Sequence, residues 1–193
     1  MIWFISDTHF FHKNVLGFCN RPFDNVEQMN QAICDNWASV VKRNDIIFHL
    51  GDITFGSKTK TIQMLKALPG HKMLIMGNHD SGIDRGEYGF IFKKIRRLYE
   101  IKGLLGNDWY HDAHGNEPTN EWDLPIVLCH YPMREWNQSH RGSWQLHGHS
   151  HGKLEPNTRR QYDVGVDNNN FYPVSLEQLD GIMRKRGVNK HHE

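Results

Sequence analysis

The sequence has little cysteine, little net charge and no long hydrophobic run. Its three cysteines, Cys19, Cys34 and Cys129, are odd in number and widely spaced, with no CxxC pair. This pattern disfavours a disulfide framework and a thiolate zinc site, and it indicates free thiols in a reducing cytoplasm. The net charge of +1 gives no general attraction to nucleic acid or acidic lipid. No apolar run approaches the ~20 residues of a membrane helix, and the opening MIWFISD has no charged leader. We therefore expect a cytoplasmic protein without a membrane partner.

Histidine is the residue type present in excess. The 193 residues are 38% hydrophobic and 11% aromatic, which is typical of a globular protein, and 14 of them are histidine. We predict one domain over residues 1–193. In LHGHSHG (146–152), His147, His149 and His151 alternate, and residues two apart in an extended chain project to the same side. So many imidazoles in so short a segment predict a polar site there.

Short apolar runs alternate with amphipathic segments, a pattern that predicts an α/β fold. Strands are predicted at 2–6, 46–50, 72–76, 125–129, 143–147 and 161–166. Helices are predicted after an N-cap at Asp24 with Glu27 three residues later, at about 62–68, at about 88–98, and from Ser175 to about Arg186. The basic runs at 93–97 and 184–190 are interpreted as solvated helix faces, and 103–124 as a strand and loop excursion.

Polar side chains follow five of the predicted strands. Ligands collect beyond the carboxyl ends of strands in α/β sheets, so these side chains are expected to converge. Carboxylates, an amide and imidazoles suit Mn²⁺, Fe, Zn²⁺ or Ni²⁺ better than Ca²⁺. A set of seven fits two ions sharing a bridging carboxylate, an arrangement suited to phosphoester hydrolysis. The seven candidates are Asp7, His9, Asp52, Asn78, His130, His149 and His151.

The motifs DTH, GD, GNHD, a lone His130 and GHSH occur, in this order, over residues 7–151. In this the sequence resembles the calcineurin-like metallophosphoesterases. The resemblance implies two mixed β-sheets packed as a sandwich and flanked by helices. It also implies two divalent metal ions, with Mn²⁺ as the first candidate.

The resemblance also assigns roles to individual residues. It gives Asp7, His9 and His151 to one metal, and Asn78, His130 and His149 to the other. Asp52 would bridge the two ions. His79 would face the substrate and protonate the leaving oxygen, and Asp80 would orient and charge that imidazole.

Other polar residues near these motifs have two interpretations. Arg21, in CNRPF, is either a substrate-binding group that clamps a phosphate bidentately or a surface arginine that anchors the turn before Pro22. His12 is a weaker candidate for substrate contact. His147 and His49 each precede a motif and are interpreted as packed histidines, hydrogen-bonded to a carboxylate or carbonyl.

Differences from related subfamilies narrow the expected reaction. The protein Ser/Thr phosphatases carry GDxHG and GDxVDRG where this sequence has SDTHFF and GDITFG. The GHSH doublet is instead similar to the phosphodiesterase and nuclease branch. We predict a phosphodiesterase acting on a small nucleotide-like phosphodiester, with a phosphomonoesterase as the alternative. A DNA nuclease is disfavoured by the low net charge, and a non-catalytic scaffold is disfavoured by His79. Self-association is left open.

Overall fold

Two mixed β-sheets form the frame of the molecule. The computed structural model describes residues 1–83, 88–104, 124–154 and 159–188. The first sheet contains β1 (Ile2–Ile5), β2 (Ile46–His49), β3 (His71–Ile75), β4 (Phe92–Arg96) and β9 (Val174–Ser175), in the order β4-β3-β2-β1-β9. The second contains β5 (Leu98–Ile101), β6 (Ile126–Cys129), β7 (Trp144–His147) and β8 (Gln161–Asp163), in the order β5-β6-β7-β8.

Each sheet is parallel except at one edge. In the first sheet β1 to β4 are parallel and β9 pairs antiparallel with β1. In the second, β6, β7 and β8 are parallel and β5 is antiparallel to β6. The predicted α/β class, with two mixed sheets flanked by helices, is confirmed.

Four α-helices are described: α1 (Val15–Phe18), α2 (Val26–Val40), α3 (Lys58–Ala67) and α4 (Leu176–Met183). None of the helices in the described ranges is long and apolar enough to cross a membrane. The predicted capping box of α4 is confirmed, since Ser175 and Gln178 satisfy each other's backbone N–H groups. The predicted cap of α2 is wrong by one residue. Asn25 is the N-cap and accepts from the backbone N–H of Gln28 at 2.8 Å, while Gln28 accepts from that of Asp24.

The alternation of side chains along β1 shows how the layers pack. Trp3 and Ile5 point to a core shared with Ile33 and Trp37 of α2. Phe4 points to the opposite face, where it joins a second core. That core combines Phe48 and Ile75 of the first sheet, Leu50 directly after β2, Ile126, Leu128, Trp144 and Leu146 of the second sheet, and Leu179 and Met183 of α4. The first sheet is therefore covered by helices on one face and by the second sheet on the other.

The predicted helix at 88–98 is wrong. The chain there forms β4, an edge strand of the first sheet, and then β5, an edge strand of the second. The basic run at 93–97 therefore lies on strands, not on a helix face. Most of the 103–124 excursion and the end of the 184–190 run lie outside the described residues.

Candidate metal centre

The carboxyl ends of strands from both sheets meet at one rim. The backbone N–H of Asp7, after β1, donates to the carbonyl of Gly51, after β2, at 3.0 Å. The Nδ1 atom of His130, after β6, lies 2.7 Å from the carbonyl oxygen of Leu50. The N–H of Gly148, after β7, donates to the carbonyl of His130 at 3.0 Å. These bonds hold the loops that carry the sequence motifs against one another.

Five of the seven predicted ligands have left-handed backbone conformations. Their φ angles are 57° for Asp7, 48° for His9, 56° for Asp52, 66° for His149 and 50° for His151. Aspartate and histidine tolerate this region better than most residues do, but it remains unfavourable for every residue with a side chain and is free of strain only for glycine. Such strain concentrates at functional sites, where the surrounding packing enforces it.

The first group of candidate ligands contains Asp7, His9 and His151, whose ligand atoms all lie within 4.8 Å of one another. Both Asp7 oxygens accept from the backbone N–H of His149, at 3.1 and 3.0 Å. Burial raises the pKa of Asp7 to about 7, because the buried carboxylate is shielded from the solvent that would stabilise its charge. A cation beside this carboxylate would restore the charged form.

His9 provides the clearest test of whether these residues fit a metal. Burial lowers its pKa to about 3, so the imidazole is neutral, as a ligand must be. Its Nε2 atom is buried and has no hydrogen-bond partner, and it lies 3.6 Å from Oδ2 of Asp52. An orphaned buried nitrogen is unfavourable unless something binds it. A divalent cation between His9 and Asp52 fits this requirement.

The second group contains Asp52, His130 and His149, again with ligand atoms within 4.8 Å. Oδ1 of Asn78 lies 3.1 Å from Nε2 of His130, which brings the amide into the same group. Oδ2 of Asp52 lies 3.5 Å from Nε2 of His130, so this oxygen lies between His130 and His9. Burial would raise the pKa of Asp52, but His130 and the backbone N–H of His79 outweigh it and lower the pKa to about 2. Asp52 thus has the position that a shared ligand requires.

Two glycines permit the close approach of these loops. A Cβ atom at Gly148 would collide with Oγ of Ser6 and Oδ2 of Asp7, and one at Gly77 would collide with Oδ1 of Asp52. The backbone of each motif therefore packs directly on a carboxylate of the site, which only a residue without a side chain allows.

His79 differs from the candidate ligands in being open to solvent. Its side chain is 45% exposed, and its Nε2 lies 3.9 Å from Oδ2 of Asp52. Its backbone N–H donates to Oδ1 of Asp52 at 3.0 Å, and its ring centroid lies 4.8 Å from that of Phe55. The imidazole therefore stands beside both groups where a substrate could reach it.

The predicted contact between Asp80 and the imidazole of His79 is wrong. The Asp80 carboxylate accepts from the backbone N–H groups of Asp52 and Gly77, both at 2.8 Å, and of Ile53 at 3.0 Å. Asp80 therefore joins the loops after β2 and β3, and acts on the site through the placement of Asp52.

The predicted substrate-binding role of Arg21 is also wrong. Its side chain is completely buried, and Nε and Nη2 donate to the two oxygens of Asp167 at 2.7 and 2.8 Å. Nη1 and Nη2 also donate to the carbonyls of Thr8 and Asp7, at 3.1 and 2.7 Å. Nη1 also donates to Sδ of Met29 at 3.3 Å, so all five N–H donors of the guanidinium are engaged and none is left for a phosphate. Asp167 was not found from the sequence, where its only signal is an acidic residue shortly after the last predicted strand.

The remaining histidines lie around the groups. His147 is buried, and its Nδ1 lies 2.9 Å from the carbonyl oxygen of Gly148. His49 is buried between the Gly51 N–H, which donates to Nδ1 at 3.2 Å, and Thr8, whose Oγ1 lies 3.0 Å from Nε2. His12 stacks on Phe55 with ring centroids 3.9 Å apart, and its Nδ1 lies 3.3 Å from Nδ1 of His9.

Comparison with known proteins identifies the family. The family model for calcineurin-like phosphoesterases matches residues 1–153. The chain belongs to this family. It is 32% identical to the uncharacterized protein MJ1445 of Methanocaldococcus jannaschii, over 97% of this chain and 93% of that protein. It is 31% identical to the Gene 66 protein of Mycobacterium phage L5, over 86% of each.

A solved structure supports the assignment. The crystal structure of the protein of unknown function AQ665 from Aquifex aeolicus matches with a TM-score of 0.68 and 27% identity, over 94% of this chain and 98% of that one. Family membership implies metal-dependent phosphoester hydrolysis. The two groups of candidate ligands are in keeping with that chemistry, so this calcineurin-like protein is a metal-dependent phosphoesterase.

Proposed function

We propose that the protein is a phosphodiesterase that hydrolyses a small nucleotide-like phosphodiester with two divalent ions, Mn²⁺ being the first candidate. The observation that carries the proposal is a pair of exposed aromatic rings beside the two ligand groups. Phe55 is 43% exposed and Tyr131 is 45% exposed. Phenylalanine is among the residues most often buried, and an open aromatic face can stack on a nucleobase with a contribution of roughly 1–3 kcal/mol.

The two rings flank different parts of the centre. Phe55 stacks on His12, and its centroid lies 5.5 Å from that of His9 in the first group. The Tyr131 centroid lies 4.7 Å from that of His149 and 5.0 Å from that of His130 in the second group. A phosphoester held between the groups would therefore have a flat apolar surface on either side. A diester with a planar substituent, such as a nucleobase or an aryl group, suits this arrangement.

The position of Arg21 also favours a diester. A phosphomonoester carries up to two negative charges, and enzymes that bind such groups commonly use a bidentate arginine. Arg21 is engaged by Asp167, so it adds no positive charge to the substrate side of the centre. A diester, with one negative charge, needs less compensation.

In the proposed reaction the chain binds the ions and supplies a proton. The seven candidate ligands would hold two ions, which, when bound, would generate the nucleophile at neutral pH and offset charge on the phosphoryl oxygens. His79, exposed beside Asp52, would protonate the leaving oxygen. Asp52 fixes the His79 backbone, and Asp80 fixes the backbone of Asp52.

The proposal extends to location and partners. The three cysteines are free thiols, in keeping with a reducing cytoplasm. The partner would be a small phosphoester rather than a membrane or a large nucleic acid, since the net charge is only +1. That residues 1–193 form a single domain stays a prediction. Whether the protein self-associates is left open.

Hydrolysis of bis-p-nitrophenyl phosphate and p-nitrophenyl phosphate, by metal-stripped protein with Mn²⁺ added back, tests the reaction. We expect a higher kcat/KM for the diester. A higher value for the monoester would favour the phosphomonoesterase, and no turnover of either with any divalent metal would favour a scaffold.

The aromatic surface has its own test. Phe55→Ala should raise KM for the diester about tenfold, since a stacked aromatic contact contributes roughly 1–3 kcal/mol. Phe90→Ala is the matched control, because Phe90 is also exposed and lies against Lys66 of α3. An unchanged KM in the Phe55 variant would remove the support that this ring gives to a planar substrate.

A further inference from the structure

A buried network of charged residues lies behind the first ligand group. Nδ1 of His151 lies 2.7 Å from Oδ2 of Asp167, and the guanidinium of Arg21 binds both oxygens of the same carboxylate. Asp167 belongs to none of the family's motifs, and it lies beyond residues 1–153, where the family model matches. It comes from the 3₁₀ turn Val166–Asn168 that follows β8.

The hydrogen bond from His151 determines which of its nitrogens can bind an ion. With Nδ1 directed at Asp167, Nε2 is the nitrogen left for a metal. A carboxylate that accepts the other ring N–H of a ligating histidine fixes the tautomer and the ring orientation, and it raises the basicity of the ligand. Asp167 has this relation to His151.

Arg21 fixes Asp167 in turn and connects it to the rest of the first group. The guanidinium also donates to the carbonyls of Asp7 and Thr8, so one side chain ties the loop after β1 to the turn after β8. The 0% exposure of the Arg21 side chain means that water does not weaken these bonds by competition. The same guanidinium therefore fixes the loop that carries Asp7 relative to Asp167, the partner of His151.

Asp167 could also be a ligand, since Cys19, His151 and Asp167 have ligand atoms within 4.8 Å of one another. Two observations oppose this. Both Asp167 oxygens already accept hydrogen bonds from Arg21, and a second cation next to the guanidinium would be repelled by it. Asp167 is therefore better suited to orient a ligand than to be one.

We infer that Asp167, held by Arg21, is a positioning residue that orients His151 for the first metal ion. The inference rests on the two-metal part of the proposed function and is independent of the diester preference. Its test is metal binding, which can succeed or fail whichever phosphoester the protein hydrolyses.

The experiment is a Mn²⁺ titration of metal-stripped protein by calorimetry and by the electron paramagnetic resonance of free Mn²⁺. Asp167→Asn should weaken the binding of one of two ions by about 10–100-fold, and raised Mn²⁺ should restore its turnover. Arg21→Lys keeps the positive charge but loses the bidentate geometry of the guanidinium. It should show a smaller loss of affinity for the same ion. Asp45→Asn is the matched control. Asp45 is a buried carboxylate bonded to the amino terminus, Trp3 and Lys42, and its variant should bind both ions like the wild type.

Three outcomes would overturn the inference. Asp167→Asn could bind both ions as the wild type does, it could lose affinity only as much as Asp45→Asn does, or the wild type could bind a third ion that is lost in Cys19→Ser. If Asp167→Asn does not retain the native circular dichroism spectrum, Mn²⁺ binding by the Arg21→Lys variant becomes the deciding measurement. Weakened binding of one ion there supports the inference, and unchanged binding refutes it.

Discussion

At the scale of single residues, histidines that lie close together in the site have pKa values shifted in opposite directions. Burial lowers the pKa of His9 and of His49 to about 3. His151 is also buried, which lowers its pKa, but the bond to Asp167 outweighs this and raises the pKa to about 10. A direct hydrogen bond to a carboxylate, such as the one at 2.7 Å between His151 and Asp167, decides the charge, whereas the carboxylate 3.6 Å from His9 does not outweigh burial. The sequence does not reveal this difference. The residue types of the site could be predicted, but their protonation could not.

His79 can be tested separately from the metal ligands. His79→Ala should lower kcat by about 10²–10⁴-fold, the usual contribution of a general acid, because its imidazole is the exposed one beside Asp52. Metal analysis should still find two ions per chain. A variant that loses an ion with its activity would make His79 a ligand, and one with full activity would exclude it as the acid.

Two residues show why some roles could not be predicted from the sequence. Arg21 lies in the loop that leaves the first metal motif, which suggests a substrate contact, but Asp167, its partner, lies 146 positions along the chain. Asp80 follows His79 directly, yet its oxygens bind backbone N–H groups. A short motif indicates that a residue lies at the site, whereas its role depends on which distant groups the fold brings to it.

At the scale of secondary-structure elements, apolar runs predicted the strands well because most of them are buried in the two cores. The strands β4 and β5 were not predicted, because they are edge strands on which most side chains are exposed or only partly buried. Phe92 is buried, while Lys93 and Arg96 are exposed, and lysine and arginine are common both on edge strands and on helix surfaces. The pairing of β4 with β3 decides the conformation there, and local sequence does not contain that information.

The loop after β7 can be tested with two glycines. Gly148→Ala should weaken Mn²⁺ binding and destabilise the fold by about 1–3 kcal/mol, because its Cβ would displace Asp7. Gly181→Ala, in α4, has open space around its Cβ. It should bind Mn²⁺ normally and be more stable by up to ~1 kcal/mol. Titration and urea denaturation measure both effects, and normal Mn²⁺ binding by the Gly148 variant would contradict the close approach.

At the scale of the whole molecule, the metal centre lies where the two sheets share a rim. The first group depends on β1, on β7 and, through Asp167, on the turn after β8. The second depends on β2, β3, β6 and β7. Because ligands come from both sheets, an ion that binds here links the two layers, and its binding should stabilise the complete fold.

Metal binding should therefore raise the Tm, and more so at higher pH. Asp7, with a pKa of about 7, and His151, with a pKa of about 10, must each lose a proton before they can bind an ion. Protons compete more strongly at pH 6 than at pH 8, so the rise in Tm on adding Mn²⁺ should be larger at pH 8. Differential scanning calorimetry against chelator-treated protein at each pH measures it. An equal rise at both pH values would contradict these two protonation states.

The left-handed conformations of Asp7, His9, Asp52, His149 and His151 have a consequence for laboratory evolution. Glycine adopts this conformation without strain, so a population selected only for heat resistance, in the presence of a chelator, would gain by exchanging the exposed His149 for it. Asp7 and Asp52 accept backbone hydrogen bonds that such an exchange would remove. Selection for catalytic activity as well would favour the metal ligand over glycine. Selection for thermostability alone should thus be expected to remove His149 first and so to weaken the second ligand group.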